Sequence, residues 1–129
     1  MNVRELLGRD QFAKLLGIEL LEVSEGRASS KMEICDEHLN GVGIAQGGAI
    51  FTLADFTLAA AANSHGTIAV VLNASISFIR AAQKGLLFAE AIESSKNNKT
   101  ATYNVNVTNA QGELIAEYHG MAYRKKETF

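Results

Sequence analysis

Proline is absent from this chain of 129 residues, and there is a single cysteine. Without proline, the turns must be built from Gly, Asn, Asp and Ser. A lone cysteine, Cys35, cannot close an internal disulfide, which fits a reducing compartment, the cytoplasm. It follows Ile34 at the end of an alternating stretch, and with no His or Asn arrangement around it the expectation is a buried structural thiol rather than a nucleophile. A surplus of positive charge is missing too. Twelve Lys and Arg stand against fourteen Asp and Glu, a formal charge of -2. Nucleic acid is therefore not the expected partner, since phosphate binding needs a basic stripe. The one basic cluster, Arg124-Lys125-Lys126, reads as a solvated tail. No apolar run reaches membrane-spanning length, and Met1-Asn2-Val3-Arg4-Glu5 carries charge too early for a signal peptide, so no membrane partner is expected.

What is present is apolar: 47% of residues are hydrophobic, enough for one core and, at this length, one domain over 1–129. Residues 2–16 read as helical, split at Gly8-Arg9-Asp10, with Asp10 as N-cap of the second piece and Gly17 as its stop. A strand over 18–23, the turn Ser24-Glu25-Gly26 and a strand over 27–34 make a first hairpin. In the second strand Ala28, Ser30, Met32 and Ile34 share a face. A polar, Gly-rich loop over 36–47 leads into an apolar helix ending near 63–66. Four strand-like runs follow, near 68–80, 86–95, 100–109 and 113–124, with Tyr103, Val105 and Val107 on one face of the third. Their short connections favour antiparallel neighbours. A lone apolar helix must be covered on more than one side, so the expected α+β architecture is an antiparallel sheet of five to six strands wrapped around it. Such a sheet leaves edges that a second copy can cover.

Within that helix Asp55 is the anomaly. The run from Gly47 to Asn63 is apolar nearly all round, and Asp55 has no Lys, Arg or His three or four residues away. Burying a carboxylate without a partner costs on the order of 2–7 kcal/mol. Two readings follow: a solvent-facing slot flanked by Thr52 and Thr57, or a catalytic carboxylate whose pKa is raised by desolvation.

The helix begins at Gly47-Gly48, where the first N–H groups lack intrahelical partners and the macrodipole is positive. An oxyanion could approach there closely, or the glycines could simply ease a tight loop. Asp55 lies eight residues beyond Gly47, about 12 Å along the axis and about 80° around it. If both serve one site, they come from two subunits; otherwise they do not cooperate.

The segment His38-Leu39-Asn40-Gly41, followed by Ala45-Gln46-Gly47-Gly48-Ala49-Ile50-Phe51-Thr52-Leu53-Ala54-Asp55, resembles the signature of hotdog-fold acyl-CoA thioesterases of the phenylacetic-acid-degradation (PaaI-like) type. Asn73-Ala74-Ser75-Ile76-Ser77-Phe78-Ile79-Arg80-Ala81-Ala82 resembles the strand that follows the helix in that family. The likeness in length and element order runs from about residue 10 to 124. It implies a hotdog fold and hydrolysis of an acyl-CoA to free acid and coenzyme A. Asp55 would act as general base or nucleophile, the Gly47 amide would polarise the thioester carbonyl, and Asn40 would orient substrate or water. It also implies a homodimer with shared sites, often paired into a homotetramer, and no cofactor beyond the coenzyme A of the substrate.

Three departures stand out. Gln46 occupies the place where the family usually has His; glutamine can hold a water or carbonyl but cannot relay a proton. Asn73 stands where Ser or Thr is common, and Arg80-Ala81-Ala82 lacks a frequent proline. Gly48, Asn73, His38 and Arg80 are the candidate substrate-binding residues, with Lys84 beside Arg80 a further candidate for the nucleotide end of coenzyme A. His38 belongs to the site loop by position, although a helix-cap or surface role suits it as well. His65 suits the helix C-terminus, His119 a structural or exposed place, and the three make no metal site. Phe51, Phe56, Phe78 and Phe88 could line an acyl pocket but read more simply as core. Gln46 also motivates a second expectation, a non-catalytic acyl-CoA or acyl-carrier binding protein. A hydratase on the same fold would pair its acid with a His in a loop pattern absent here.

Overall fold

Local signals account for most elements of the computed structural model, which describes residues 1–129. Helix α1 (Val3–Leu7) is capped by Asn2, and α2 (Gln11–Leu16) by Asp10, whose Oδ1 accepts the Ala13 N–H at 2.9 Å. Strands β1 (Glu19–Ser24) and β2 (Arg27–Ile34) form the expected hairpin. A 3₁₀ turn at Asp36–His38 and a loop lead to α3 (Gly47–Asn63), followed by β3 (Thr67–Phe78), β4 (Gly85–Lys96), β5 (Thr100–Asn109) and β6 (Leu114–Thr128). The six strands make one antiparallel sheet in the order β1-β2-β4-β5-β6-β3.

The sheet curls around α3 because its inward face is small. Ala28, Ala89, Ala91, Ala101, Ala116 and Ala122 are buried there, between larger residues such as Met32, Leu87, Tyr103, Val105 and Tyr118. The helix answers with Ala54, Ala60, Ala61 and Ala62, so backbones approach closely, while Leu53 and Leu58 fill the remaining space with no exposed surface. Truncating either leucine to Ala would cost about 2–5 kcal/mol. Polar groups drawn into this layer are satisfied. Thr57 donates to Leu53 O at 2.7 Å and its hydroxyl also meets that of Ser30. Asn63 ties the helix end to β3, donating to Ala59 O and Ala69 O and accepting the Ala69 N–H.

Three expectations are corrected. Cys35 is exposed, because Ala28, Ser30, Met32 and Ile34 take the inward positions of β2 and the next residue points outward. Arg124-Lys125-Lys126 is not a tail: β6 runs on to Thr128, and the Arg124 guanidinium donates to Asn97 O at 2.7 Å. Phe78 is not core but 52% exposed, at the end of a strand bonded on one side only. No helix is long and apolar enough to cross a membrane.

Candidate functional site

The N-terminus of α3 is the centre of the candidate site, and Gln46 shapes it. Gln46 is the N-cap, and its side-chain oxygen accepts the Gly48 N–H. Its carbonyl accepts the Ala49 N–H at 3.0 Å. Gly47 N–H donates to nothing within the chain, so one unsatisfied donor remains at the positive end of the helix. The Phe78 ring covers the Gly47 Cα so closely that an added Cβ would sit 3.0 Å from Cζ.

Asn40 faces the same space. Its Oδ1 accepts the Val42 and Ile44 N–H groups at 3.0 and 3.3 Å and so folds the loop over itself. That fixes the amide orientation and leaves Nδ2 as the uncommitted donor. Asn40, Gly47, Phe78 and Arg80 line one open groove of ≈ 290 Å³. Gln46, Gly48 and His38 line another, of ≈ 460 Å³, with Phe12, Leu16 and Phe51.

Asp55 lies two turns further along α3 and lines neither groove. It is half-buried, and its Oδ1 accepts a 2.5 Å hydrogen bond from the Tyr118 hydroxyl. Burial pushes its pKa above the usual carboxylate value; the Tyr118 hydrogen bond pulls the other way, and the Asp10 charge adds to the rise. Its own burial, and after it the same bond, raise the Tyr118 pKa, so Tyr118 stays a neutral donor. Of the two residues expected to flank a solvent-facing slot, Thr52 is partly exposed and Thr57 is buried, so Asp55, itself partly exposed, has that polar flank on one side only. Thr52 bonds Gly48 O, Thr57 is buried, and Asp55 is served by Tyr118 from across the core.

One chain therefore gathers Asn40, Gly47 and Arg80 on one side of the helix start, Gln46, Gly48 and His38 on the other, and holds Asp55 apart from both. Asn73 sits on the exposed part of β3, at a register shift opposite Met121. His38 is buried with both ring nitrogens engaged: Nδ1 accepts the Cys35 N–H at 2.9 Å, and Nε2 donates to Leu16 O at 2.8 Å. The expected substrate contact through this ring finds no free nitrogen; the ring caps the 3₁₀ turn and clasps it to α2. It lies close to Cys35 and Glu37, but with both nitrogens committed the cluster has no imidazole to give a metal. Arg80 and Lys84 are exposed and paired, to Glu113 at 3.4 Å and to Asp36.

Elsewhere, His65 at the end of α3 meets Glu93 at 2.8 Å, and Tyr103 donates to the same carboxylate oxygen at 2.6 Å. His119 is exposed, against Asn104. Tyr118 carries no site signal in the sequence, and Phe78, a possible pocket residue that reads more simply as core, borders the Gly47 groove. Tyr118 stands out only as a large polar-tipped residue on the small inward face Ala116, Tyr118, Gly120, Ala122 of β6.

The chain is similar to known proteins along most of its length. A family model described as Thioesterase superfamily matches residues 42–116. A provisionally named esterase of Archaeoglobus fulgidus is 44% identical over 121 residues, covering 93% of this chain and 79% of that protein. The acyl-coenzyme A thioesterase PaaI of Escherichia coli is 33% identical over 124 residues, 95% of this chain and 89% of its own. The structure of the E. coli PaaI protein superposes with a TM-score of 0.95, over 98% of this chain and 93% of that one. A Streptococcus mutans protein solved bound to acetyl-CoA is 25% identical, with a TM-score of 0.84 over 88% of this chain and 92% of its own.

Proposed function

This chain belongs to the thioesterase superfamily and is a thioester hydrolase of the PaaI-like hotdog type, and we propose that its substrate is an aryl- or short- to medium-chain acyl-CoA, cleaved to free acid and coenzyme A. The observation that carries this reading is Asp55: a half-buried carboxylate on an otherwise apolar helix, with a raised pKa and one oxygen uncommitted. In the proposed reaction the thioester carbonyl oxygen accepts the Gly47 N–H. Asp55 either takes a proton from the attacking water, which gives the free acid directly, or attacks the carbonyl carbon itself, which gives a mixed anhydride that water then hydrolyses to free acid and the restored carboxylate. As the tetrahedral intermediate collapses, the C–S bond breaks and the thiolate of coenzyme A leaves, to be protonated in solution. Asn40 Nδ2 orients substrate or water. Gln46 acts through the helix cap rather than as an acid, because it cannot carry a proton.

The separation of Asp55 from the Gly47 groove favours a site completed by a second copy. Strand β3 is an edge, bonded only to β6, and exposes Val70, Leu72 and Phe78. Pairing of two such edges about a two-fold axis is the proposed dimer, and two dimers the proposed tetramer. The groups proposed for the nucleotide end of coenzyme A are Arg80 and Lys84, and the proposed setting is the cytoplasm. The acetyl-CoA bound to the S. mutans protein supports the substrate class.

The test is release of free coenzyme A thiol across a panel of aryl, short and medium acyl-CoAs, with Asp55→Asn in parallel. Loss of the base should slow turnover about 10²–10⁴-fold. Near-full hydrolysis by the variant would remove Asp55 from the mechanism. A second reading, acyl-CoA binding without turnover, is favoured by Gln46 in place of a proton-carrying side chain; it predicts binding with no thiol released by the wild type.

A further inference from the structure

We propose that Tyr118 is a positioning residue for Asp55, holding Oδ1 so that Oδ2 is the oxygen presented to water or to the thioester carbon; this rests on the thioesterase reading above. Tyr118 reaches Asp55 from the opposite wall of the core, β6 against α3, and the residue is 2% exposed. Its pose is fixed by three neighbours. The Phe51 ring meets it edge-on, with centroids 5.3 Å apart and planes at 62°. Leu58 packs beside it across Gly120, where an added Cβ would lie 2.6 Å from Leu58 Cδ1, 3.0 Å from Tyr118 Cε1 and 3.3 Å from the Tyr118 hydroxyl. Phe51, Asp55 and Leu58 stand at positions i, i+4 and i+7 of α3 and share a face. The phenol thus lies in a fitted slot on the same face as the carboxylate, with clearance secured by a glycine.

The consequence is directional. Oδ1 is taken, and Oδ2 accepts nothing within the chain. A carboxylate so held cannot rotate freely, and a short hydrogen bond from a neutral phenol favours its ionised form. The ionisable groups that bear on Asp55 are Tyr118 from β6 and Asp10 from the turn before α2; α3 has no other charged residue. Of the two, only Tyr118 opposes the effect of burial. A base needs its charge at working pH, and this phenol is the group that preserves it.

Tyr118→Phe keeps the ring and removes the hydroxyl. The acidic limb of kcat/KM should move to higher pH, and kcat should fall about 10- to 100-fold from lost orientation, with KM little changed. A second readout does not need turnover: the Asp55 carboxyl ¹³C resonance, assigned through Asp55→Asn, should titrate at higher pH in Tyr118→Phe than in the wild type. An unshifted carboxyl titration would overturn the inference even if acyl-CoA is hydrolysed. A shifted titration in a protein that hydrolyses no acyl-CoA would support the pairing and overturn the thioesterase reading instead. An altered melting temperature with an unmoved pH limb and unmoved resonance would reduce Tyr118 to a packing residue and overturn the proposal.

Discussion

Phe78 lies over Gly47, its ring edge 3.0 Å from where a Gly47 side chain would begin. The contact joins the end of β3 to the first residue of α3, two segments that both border the groove holding Asn40 and Arg80. The missing side chain makes room for the ring, and the Gly47 N–H beneath it has no partner within the chain.

Gly47→Ala should therefore push the Phe78 ring out of place and slow hydrolysis, while the amide donor itself survives. Adding Phe78→Leu should restore part of the rate. Steady-state kinetics of the single and double variants check this. Full activity in Gly47→Ala would mean that the ring does not shape the site.

Asn40→Asp separates the two ends of one amide. The Oδ1 atom that accepts from Val42 and Ile44 is kept, and the uncommitted Nδ2 donor is lost. The expected melting temperature is close to wild type, with kcat/KM lower by about 1.5–3 kcal/mol of transition-state stabilisation, the worth of a hydrogen bond to a charged group. Asn40→Ala should lose both stability and rate. A thermal melt beside the kinetics separates the two effects.

Asp55→Asn should be as stable as the wild type or more stable at about pH 7, because it removes a partly buried charge. The folded-state pKa of Asp55 is raised, so the folded chain holds its proton more tightly than the unfolded one. The cost of the carboxylate is complete above the folded pKa and fades as pH falls toward the unfolded value, about 3.9. The advantage of the variant should shrink over that range in pH-dependent thermal melts. A large loss of stability at neutral pH would make Asp55 a structural residue.

Glu93 should behave in the opposite sense. Burial works against its charge, yet the Tyr103 hydroxyl, the His65 hydrogen bond, and the His65 and Lys96 charges together hold its pKa below the usual value. A lowered carboxyl pKa contributes stability above the unfolded pKa, lost as pH falls through the folded one. Glu93→Gln should cost about 1.5–3 kcal/mol near neutrality, the worth of a hydrogen bond to a charged group, with the gap to wild type closing in acid. Chemical denaturation at several pH values measures it. Hydrolysis should be unaffected, since this cluster lies at the far end of α3.

The elements and most of their faces follow from the residue pattern alone. Alternation in 27–34 and 102–108 places Met32, Ile34, Val105 and Val107 inward, because a strand repeats every two residues whatever it packs against. The caps at Asp10 and Gly17 were legible because capping is a local matter. The oddity of Asp55 was legible as well, since an acid in an apolar helix needs no coordinates to be noticed. The rest depends on partners distant along the chain. Tyr118 is 63 residues from Asp55, and nothing in either segment announces the other. Phe78 read as core because it is large and apolar, yet β3 became an edge strand once β4 paired with β2 and left β3 only β6. His38 belonged by position to the site loop, but its ring turned to Leu16 and Cys35, where both nitrogens are satisfied. Strand order and the direction of a buried hydrogen bond are settled by which surfaces must cover one another, and that depends on the whole chain folded together.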